Sequence, residues 1–198
     1  MGVTEFAKGR FNTPKAILLR NLLLAFLPAA AIGFCFDDLI ERYLFSPLPV
    51  VLALLVGALI MIGCELRKKP AQPKTLEELS PFGALKIGFW QLLALWPGMS
   101  RSMTTIVGGL QGGLSRAAAA EFSFLLGAAV LGAAGVYKII CNYEALFTLG
   151  LSQILIGTVA AFISAFFVVK FFVGTLNHYG LLPWAIYRLV LVTILVIL

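Results

Sequence analysis

The sequence has few charged residues and few side chains that bind metals or form disulfides. Only 12% of its 198 residues are Asp, Glu, Lys or Arg, which is about half the share that is usual in soluble domains. It has one histidine, and its three cysteines lie far apart without a Cys-x-x-Cys or Cys/His spacing. The pattern therefore indicates neither a zinc site nor a disulfide framework, and it argues against a soluble protein.

Most of the chain is hydrophobic. Hydrophobic residues make up 61% of the chain, and the mean hydropathy is +0.99. A soluble domain of this length cannot bury that much apolar surface, whereas lipid solvates the outside of a membrane helix bundle. The net charge of +6 sits in short connectors between apolar runs, so the positive-inside rule explains it better than nucleic-acid binding does. We therefore expect membrane lipids, and no nucleic acid, among the partners.

Five apolar runs have about the length that a helix needs to cross a bilayer. They are 15–36, 48–64, 117–140, 149–173 and 181–198, and an acidic connector at 37–42 separates the first two. We expect an all-α fold, in which residues 1–198 form a single integral membrane domain, a polytopic bundle of about five spanning helices.

The basic residues predict an orientation. If the N-terminus is cytoplasmic, only Arg42 and Lys138 lie outside. The basic residues then placed on the cytoplasmic side are Lys8, Arg10, Lys15, Arg67, Lys68, Lys69, Lys74, Arg116 and Lys170.

The stretch 82–114 is apolar but interrupted. Trp96-Pro97-Gly98 breaks its middle, and serines, threonines and two Gly-Gly pairs follow. A continuous lipid-facing helix does not carry this pattern. It is typical of a re-entrant helical hairpin, whose broken backbone is buried in protein or lines a wet cavity.

The break also predicts an anion site. Gly98 lets the chain turn, and a new helix is expected to begin near Ser100, where its first N–H groups lack intrahelical partners. Ser100 and Ser102 add hydroxyls, Thr105 lies within the first turns, and Arg101 adds a planar set of donors that fits phosphate oxygens. An arginine at membrane depth is by default a functional hypothesis.

Other interpretations of these residues stay open. Arg101 is alternatively half of a buried ion pair with Glu121. Arg116 reaches either a second phosphate or only a lipid headgroup. Gln91 either orients a water or hydroxyl at the site or bonds a neighbouring helix.

At these residues the chain resembles a known family. Leu95 to Ser102, followed by Gly108-Gly109, by Gly113 to Arg116 and by Glu121 to Leu126, resembles the undecaprenyl-diphosphatase (bacitracin-resistance) family, whose second signature is PGxSRSxxT. Residues 183–188 resemble that family's last helix.

The resemblance implies a fold, an activity and a location. The family removes one phosphate from undecaprenyl diphosphate, the lipid carrier of cell-wall precursors, in the bacterial cytoplasmic (inner) membrane. It consists of two inverted repeats, each with a re-entrant hairpin. By resemblance, Arg101 grips the diphosphate with the help of Ser100, Ser102 and Thr105, and Gly98, Arg116 and Gln91 are further candidates for the phosphate site. A homodimer is one oligomeric state that we consider.

Two departures from the family pattern limit this inference. Met103 and Thr104 stand where the family usually has Gly-Ala, and Met103 is expected to crowd the turn. The family's first signature, a glutamate-rich EGxTEFLPVSSxGH segment, has no counterpart here, and we interpret the partial echo in residues 2–6 as chance. The chain is thus expected to lack the first hairpin and first helix.

Three functions follow as alternatives. The first is a lipid-diphosphate phosphatase, assisted by Mg²⁺ or Ca²⁺ with metal ligands that the sequence does not identify, and without an organic cofactor. The second is a transporter or flippase for lipid phosphates, since broken helices around an anion site are also typical of transporters. The third is a membrane protein that binds the lipid diphosphate without hydrolysing it.

Overall fold

The computed structural model describes residues 13–67, 71–142 and 150–197, and these residues form an all-helical protein. Glu5 and the basic residues Lys8, Arg10, Lys68 and Lys69 lie outside the described residues. Within the described ranges there are seven α-helices and one short 3-10 helix. They are α1 (Pro14–Leu44), α2 (Pro47–Glu65), α3 (Pro81–Leu92), the 3-10 helix (Leu93–Leu95), α4 (Arg101–Gln111), α5 (Arg116–Cys141), α6 (Leu151–Tyr179) and α7 (Leu182–Ile197).

Four of these helices are long and apolar enough to cross a membrane. They are α1, α2, α5 and α6, with mean hydropathies of 1.9 to 2.5 in their most apolar windows. None of the best window of α6 is buried inside the protein, so its phenylalanines suit a lipid environment. The fifth predicted span, α7, is helical but has only 16 residues, about 24 Å at 1.5 Å per residue. Whether α7 crosses the whole bilayer stays a prediction.

The acidic connector predicted at 37–42 is instead part of a helix. Residues Asp37 to Arg42 continue α1 beyond a kink at Phe36, where φ is −124° and ψ is 18°. The prediction was wrong because charged residues end a run of apolar side chains but do not end a helix. A helix ends where a residue such as glycine or proline disfavours the helical backbone conformation. No glycine or proline follows Phe36 until Pro47, and charged side chains are compatible with helix.

The predicted interruption of 82–114 is confirmed as a helix–break–helix unit. Helix α3 packs along α1, and α4 packs against both α3 and α5. At Gly88 a methyl group would lie 2.6 Å from the carbonyl oxygen of Ala25, so glycine allows α1 and α3 to touch through their backbones. Buried Asn21 also donates from Nδ2 to the Leu79 carbonyl at 2.7 Å. Helix α1 therefore fixes where the broken unit begins.

Several of the basic residues assigned to one side of the membrane lie at one end of the bundle. Lys74 donates its backbone N–H to Gly113 at 2.8 Å, and Ser115 donates to the Lys74 carbonyl at 3.0 Å. These bonds hold the connector 71–80 against the turn that precedes Arg116. Lys15 lines a groove with residues of this connector and of α5. The clustering agrees with the predicted charge asymmetry, and the side of the membrane stays a prediction.

The connector also contains a carboxylate whose protonation we expect to be measurable. Glu78 Oε2 accepts the Thr75 backbone N–H at 2.7 Å and the Thr75 hydroxyl at 3.1 Å. These two hydrogen bonds, the backbone one first, lower the pKa of Glu78 from its ordinary value. Because the pKa of Glu78 is lower in the folded protein, these hydrogen bonds stabilise the folded connector at pH values above the ordinary carboxyl pKa. Their contribution is lost as the pH falls through the lowered pKa of Glu78.

We therefore expect the Thr75 amide to lose hydrogen-exchange protection as acid protonates Glu78. Protection factors for 71–80, measured by exchange at a series of pH values, should fall in the acid range in the wild type. In Glu78→Gln, which still accepts a hydrogen bond but does not titrate, they should stay level. An equal pH dependence in both proteins would show that another group governs the connector.

Candidate functional site

The break between α3 and α4 is a turn pressed against helix α2. Trp96 is extended, with ψ of 112°, as expected for a residue that precedes a proline. Gly98 has φ of +94°, and a methyl group there would lie 2.7 Å from the Val50 carbonyl oxygen. Both the backbone conformation and the close approach therefore require glycine at position 98. The predicted turn at Pro97-Gly98 is confirmed.

The second helix begins next to Ser100, as predicted, and Ser100 caps it in a strained conformation. Its Oγ accepts the Met103 N–H at 3.5 Å and lies 3.4 Å from Ser102 Oγ. Its φ of +69° makes it the one non-glycine residue with positive φ in the described part of the chain. Such a conformation costs about 1–3 kcal/mol and tends to occur at functional sites. It presents two adjacent hydroxyls at the N-terminus of α4.

The Arg101 side chain extends from the first residue of α4 to helix α5. Its guanidinium occupies the space that a side chain on Gly127 would fill. Among the described residues it makes no ion pair or side-chain hydrogen bond, so its donors remain available to a ligand. The alternative pair with Glu121 is not observed, because Glu121 is exposed and lies six residues, about 9 Å, before Gly127 along α5.

Thr105 holds the start of α4 in place. It is buried, its Oγ1 lies 2.9 Å from the Arg101 carbonyl, to which it donates, and it lies 2.6 Å from Ser123 Oγ on α5. Thr104 donates to the same carbonyl at 2.8 Å. These bonds fix the backbone that carries Arg101. The predicted contact of Thr105 with phosphate stays a prediction, since its hydroxyl is used within the protein.

Met103 does not crowd the turn. It lies in the first turn of α4, is buried in the core, and faces Gly57 on α2, where a methyl group would lie 3.1 Å from its Cε. The expected disturbance was wrong because the helix begins two residues earlier, so position 103 points into the bundle. A glycine on the facing helix provides the space.

Two other predicted residues lie away from the serines. Gln91 is 2% exposed, near the end of α3, and its Oε1 has no hydrogen-bond partner among the described residues. It does not line the cavity beside Ser100 and Ser102. Arg116 begins α5, beyond the far end of α4, and α4 is 11 residues or about 16 Å long. The structure therefore does not bring Arg116 to Arg101, and phosphate contacts of Gln91 and Arg116 stay predictions.

Arg116 and Glu65 instead form a contact that links the end of α2, the start of α5 and the start of α7. Arg116 forms an ion pair with the Glu65 carboxylate at the end of α2. The other oxygen of Glu65 accepts the Leu181 N–H at 3.1 Å, just before α7. Both side chains are mostly buried, with 19% and 15% of their surfaces exposed. A cavity of about 580 Å³ lies beside this pair.

We expect Glu65→Ala to destabilise the protein by on the order of 2–3 kcal/mol, because it removes the ion-pair partner of a mostly buried arginine and leaves the Leu181 N–H without its acceptor. A thermal-unfolding measurement in detergent should show the loss as a lower Tm. Glu77→Ala, on the exposed connector, is the matched control and should change stability by less than about 0.5 kcal/mol. Equal Tm values for the two variants would mean that the ion pair does not hold these helices.

Sequence reasoning missed one residue beside the serines. Arg188 on α7 is only 8% exposed and donates from Nη2 to the Met99 carbonyl at 3.0 Å. It lines a cavity of about 180 Å³ together with Ser100 and Ser102. The signal was an arginine inside an apolar helix, where a charge is rare and usually functional. Nothing in the sequence indicated that α7 lies next to the hairpin turn.

The donors at this site do not suit a divalent metal. Mg²⁺ and Ca²⁺ take carboxylate and carbonyl oxygens, whereas the side chains here are guanidinium and hydroxyl groups. Among the described residues no three His, Cys, Asp or Glu side chains cluster so that they could hold a metal. Ser100, Arg101, Ser102 and the first N–H groups of α4, which have no acceptor within the helix, can instead bind an anion.

Comparisons with known proteins agree with the sequence motif. A family model described as bacitracin resistance protein BacA matches residues 1–194. The chain is 47% identical over 175 residues to an undecaprenyl-diphosphatase of Sorangium cellulosum, covering 86% of this chain and 57% of the relative. It is 43% identical over 169 residues to one of Nitrosomonas europaea, covering 85% and 62%, and 37% identical over 190 residues to one of Staphylococcus epidermidis, covering 96% and 66%. The chain thus spans about 57–66% of the length of these relatives.

Proposed function

Because the chain belongs to the bacitracin resistance protein BacA family, we propose that it acts on undecaprenyl diphosphate as a phosphatase. The relatives named above carry the name undecaprenyl-diphosphatase. The reaction would release phosphate and leave the lipid monophosphate, which returns the carrier to cell-wall precursor synthesis. Since the chain spans about 57–66% of the length of these relatives, its activity and substrate are our proposal.

The observation that carries the proposal is the N-terminus of α4. Two hydroxyls, at Ser100 and Ser102, lie 3.4 Å apart at the N-terminus of α4. The guanidinium of Arg101, the first residue of this helix, makes no ion pair or side-chain hydrogen bond among the described residues. Transfer of a phosphoryl group is catalysed mainly by positioning and by stabilising the charge on the equatorial oxygens. Arg101 and the α4 N-terminus supply positive charge and donors for that purpose. Thr105 and Ser123 keep the donors in place.

The length of α4 indicates how deep the site would lie in a bilayer. We propose that α3 and α4 form a re-entrant hairpin in the bacterial inner membrane. Helix α4 is 11 residues long, so its first residue would lie about 16 Å from the membrane surface that its last residue faces, close to the middle of a hydrocarbon core of about 30 Å. The exposed faces of the four long helices would meet membrane lipids. A homodimer stays a prediction.

Hydrolysis also needs a group that activates the attacking water. No carboxylate or histidine among the described residues lines the cavity beside Ser100 and Ser102. This observation favours a second candidate function, in which the 198-residue chain binds the lipid diphosphate without hydrolysing it.

Phosphate release by the purified 198-residue chain separates the two candidates. The chain in detergent is incubated with a polyprenyl diphosphate, with and without Mg²⁺ or Ca²⁺, and released phosphate is measured against an Arg101→Ala background. Release above that background supports the phosphatase. Binding of the lipid diphosphate without release supports the binding protein. Absence of both would overturn the assignment of a lipid-diphosphate site.

A further inference from the structure

The cavity of about 580 Å³ beside the Glu65–Arg116 ion pair has no part in the proposed function. Its walls come from the end of α2, the connector 71–80, the end of α4, the start of α5 and the last turn of α6. Helix α4, with 11 residues or about 16 Å of length, separates it from Ser100 and Ser102. Its volume is in the range of about 300–1,000 Å³ that is typical of small-molecule sites.

The walls of this cavity are held in place by two links between its elements. Lys74 donates its backbone N–H to the Gly113 carbonyl at 2.8 Å and accepts the Ser115 N–H at 3.0 Å. The residue that precedes Lys74 lines the cavity. The ion pair of Glu65 and Arg116 joins α2 to α5. The cavity is therefore a built feature of the fold, bounded by backbone hydrogen bonds and a salt bridge.

The side chains that line the cavity carry one unbalanced positive charge. Glu65 and Arg116 neutralise each other. Arg67 is exposed, lines the cavity, and makes no ion pair or side-chain hydrogen bond among the described residues. The oxygen of Ser115 accepts the Ala118 N–H at 3.1 Å, so its hydroxyl hydrogen can be donated to a ligand. A guanidinium with a hydroxyl donor suits the oxygens of a phosphate group.

The rest of the cavity is largely apolar and lies at the level of lipid headgroups. Leu110, Leu114 and Ala117 line it. Helix α2 has 19 residues, or about 28 Å, which matches a hydrocarbon core of about 30 Å. Its last residue, Glu65, is therefore expected at a membrane surface. A free phosphate ion would fill only a small part of this volume, whereas an anion with an apolar body would cover the leucines as well.

We propose that this cavity binds an anionic membrane phospholipid, whose phosphate contacts Arg67. The glycerol and the adjoining part of the acyl chains lie along Leu110 and Leu114. Basic pockets between membrane helices are a recurrent way in which proteins recognise anionic headgroups. The bound lipid stabilises the junction of α2, the connector and α5. The proposal needs neither the serines nor hydrolysis, so it does not depend on the proposed function.

Cys64 lines the same cavity and reports its occupancy. The full chain in detergent micelles is labelled with N-ethylmaleimide, and mass spectrometry follows each cysteine separately. Phosphatidylglycerol at about ten times its Kd should slow the labelling of Cys64 by on the order of tenfold, because only the empty cavity reacts. Phosphatidylcholine and inorganic phosphate should not slow it. Cys35 and Cys141 are exposed and do not line the cavity, so they are internal controls and should keep their rates.

Substitutions of Arg67 test the assigned contact. Arg67→Gln should raise the phosphatidylglycerol concentration for half-protection of Cys64 by roughly tenfold, the effect of one lost charge-assisted hydrogen bond. Arg67→Lys keeps the charge and should show a smaller effect. Arg42→Gln, at an exposed arginine near the end of α1, is the matched control and should behave as the wild type. Arg67 is exposed and follows the end of α2, so these variants are expected to fold.

Each other outcome overturns a part of the proposal. Equal protection by phosphatidylcholine would show that charge does not select the ligand. Equal protection by inorganic phosphate would show an anion site without a lipid. The same half-protection in Arg67→Gln and Arg42→Gln would remove Arg67 from the site, and a Cys64 that resists labelling without lipid would show that the cavity is closed to ligands. None of these results depends on phosphate release, so the proposed function is tested separately.

Discussion

Replacing Arg101 with alanine is expected to lower phosphate release from a polyprenyl diphosphate by roughly 100- to 1,000-fold, the usual effect of removing one donor that stabilises transition-state charge. For a chain that binds without turnover, the same substitution should weaken diphosphate binding. The Tm should not fall, because the guanidinium makes no ion pair or side-chain hydrogen bond among the described residues. A half-buried charge without a partner tends to destabilise the fold. Loss of function without loss of stability distinguishes a ligand-binding arginine from a structural one.

Gly127→Ala tests the same side chain from the opposite helix. The Arg101 guanidinium occupies the space of the new methyl group, so it must move away from α5, and activity or binding should fall although Arg101 remains. Gly132→Ala, on the same helix with no atom within 4 Å, is the control. It should bind normally, and its stability should be equal or slightly higher because alanine favours helix. If Gly127→Ala behaves like Gly132→Ala, the placement of Arg101 against α5 is wrong.

Replacing Gly98 with alanine is expected to destabilise the protein by about 3–5 kcal/mol, through strain at positive φ and overlap with a helix backbone. The new methyl group would lie 2.7 Å from the Val50 carbonyl oxygen and 3.2 Å from Ala53 Cβ. Neither atom belongs to a flexible side-chain end, so α2 and the hairpin turn must separate. The effect is measured as a lower Tm in detergent, and the displaced turn should also weaken anion binding.

Gly113→Ala separates the two causes of that loss. Gly113 has φ of +89°, close to the +94° of Gly98, but its nearest neighbours are carbons of the Lys74 side chain at 3.8 Å. It should therefore show only the conformational cost of about 1 kcal/mol. Equal destabilisation in the two variants would mean that the contact with Val50 contributes nothing and that the turn packs less closely on α2.

Local sequence determined the helices and the break between α3 and α4. Runs of apolar residues predicted all four long helices, since a helix in lipid needs only length and hydrophobicity. A helix was expected to begin near Ser100, and Ser100 indeed caps α4, as Ser115 caps α5; each accepts an N–H from the residue three positions later. These features depend on neighbours within one helical turn. The continuation of α1 beyond Phe36 was missed because charge was taken as the end of a helix.

The chemistry of the site was also visible locally, in the order Gly98, Ser100, Arg101, Ser102. Backbone N–H groups, hydroxyls and a guanidinium follow one another along the chain, so no long-range contact is needed to bring them together. Residues that were assigned to the site from farther along the sequence were not brought to it by the structure. Arg116 follows the motif in the family pattern, but the length of α4 carries it to the other end of the hairpin.

Tertiary structure alone decided which residues from distant helices join the site. Arg188 meets the Met99 carbonyl across 89 positions of sequence, and Arg116 meets Glu65 across 51. In both cases a buried charge takes the partner that helix packing brings within reach, and packing depends on small residues such as Gly57 and Gly88 on facing helices. Sequence by itself determined that the chain forms apolar helices with an anion-binding break. Packing determined which arginine faces the break, because the energy of an unpaired charge depends on everything that surrounds it.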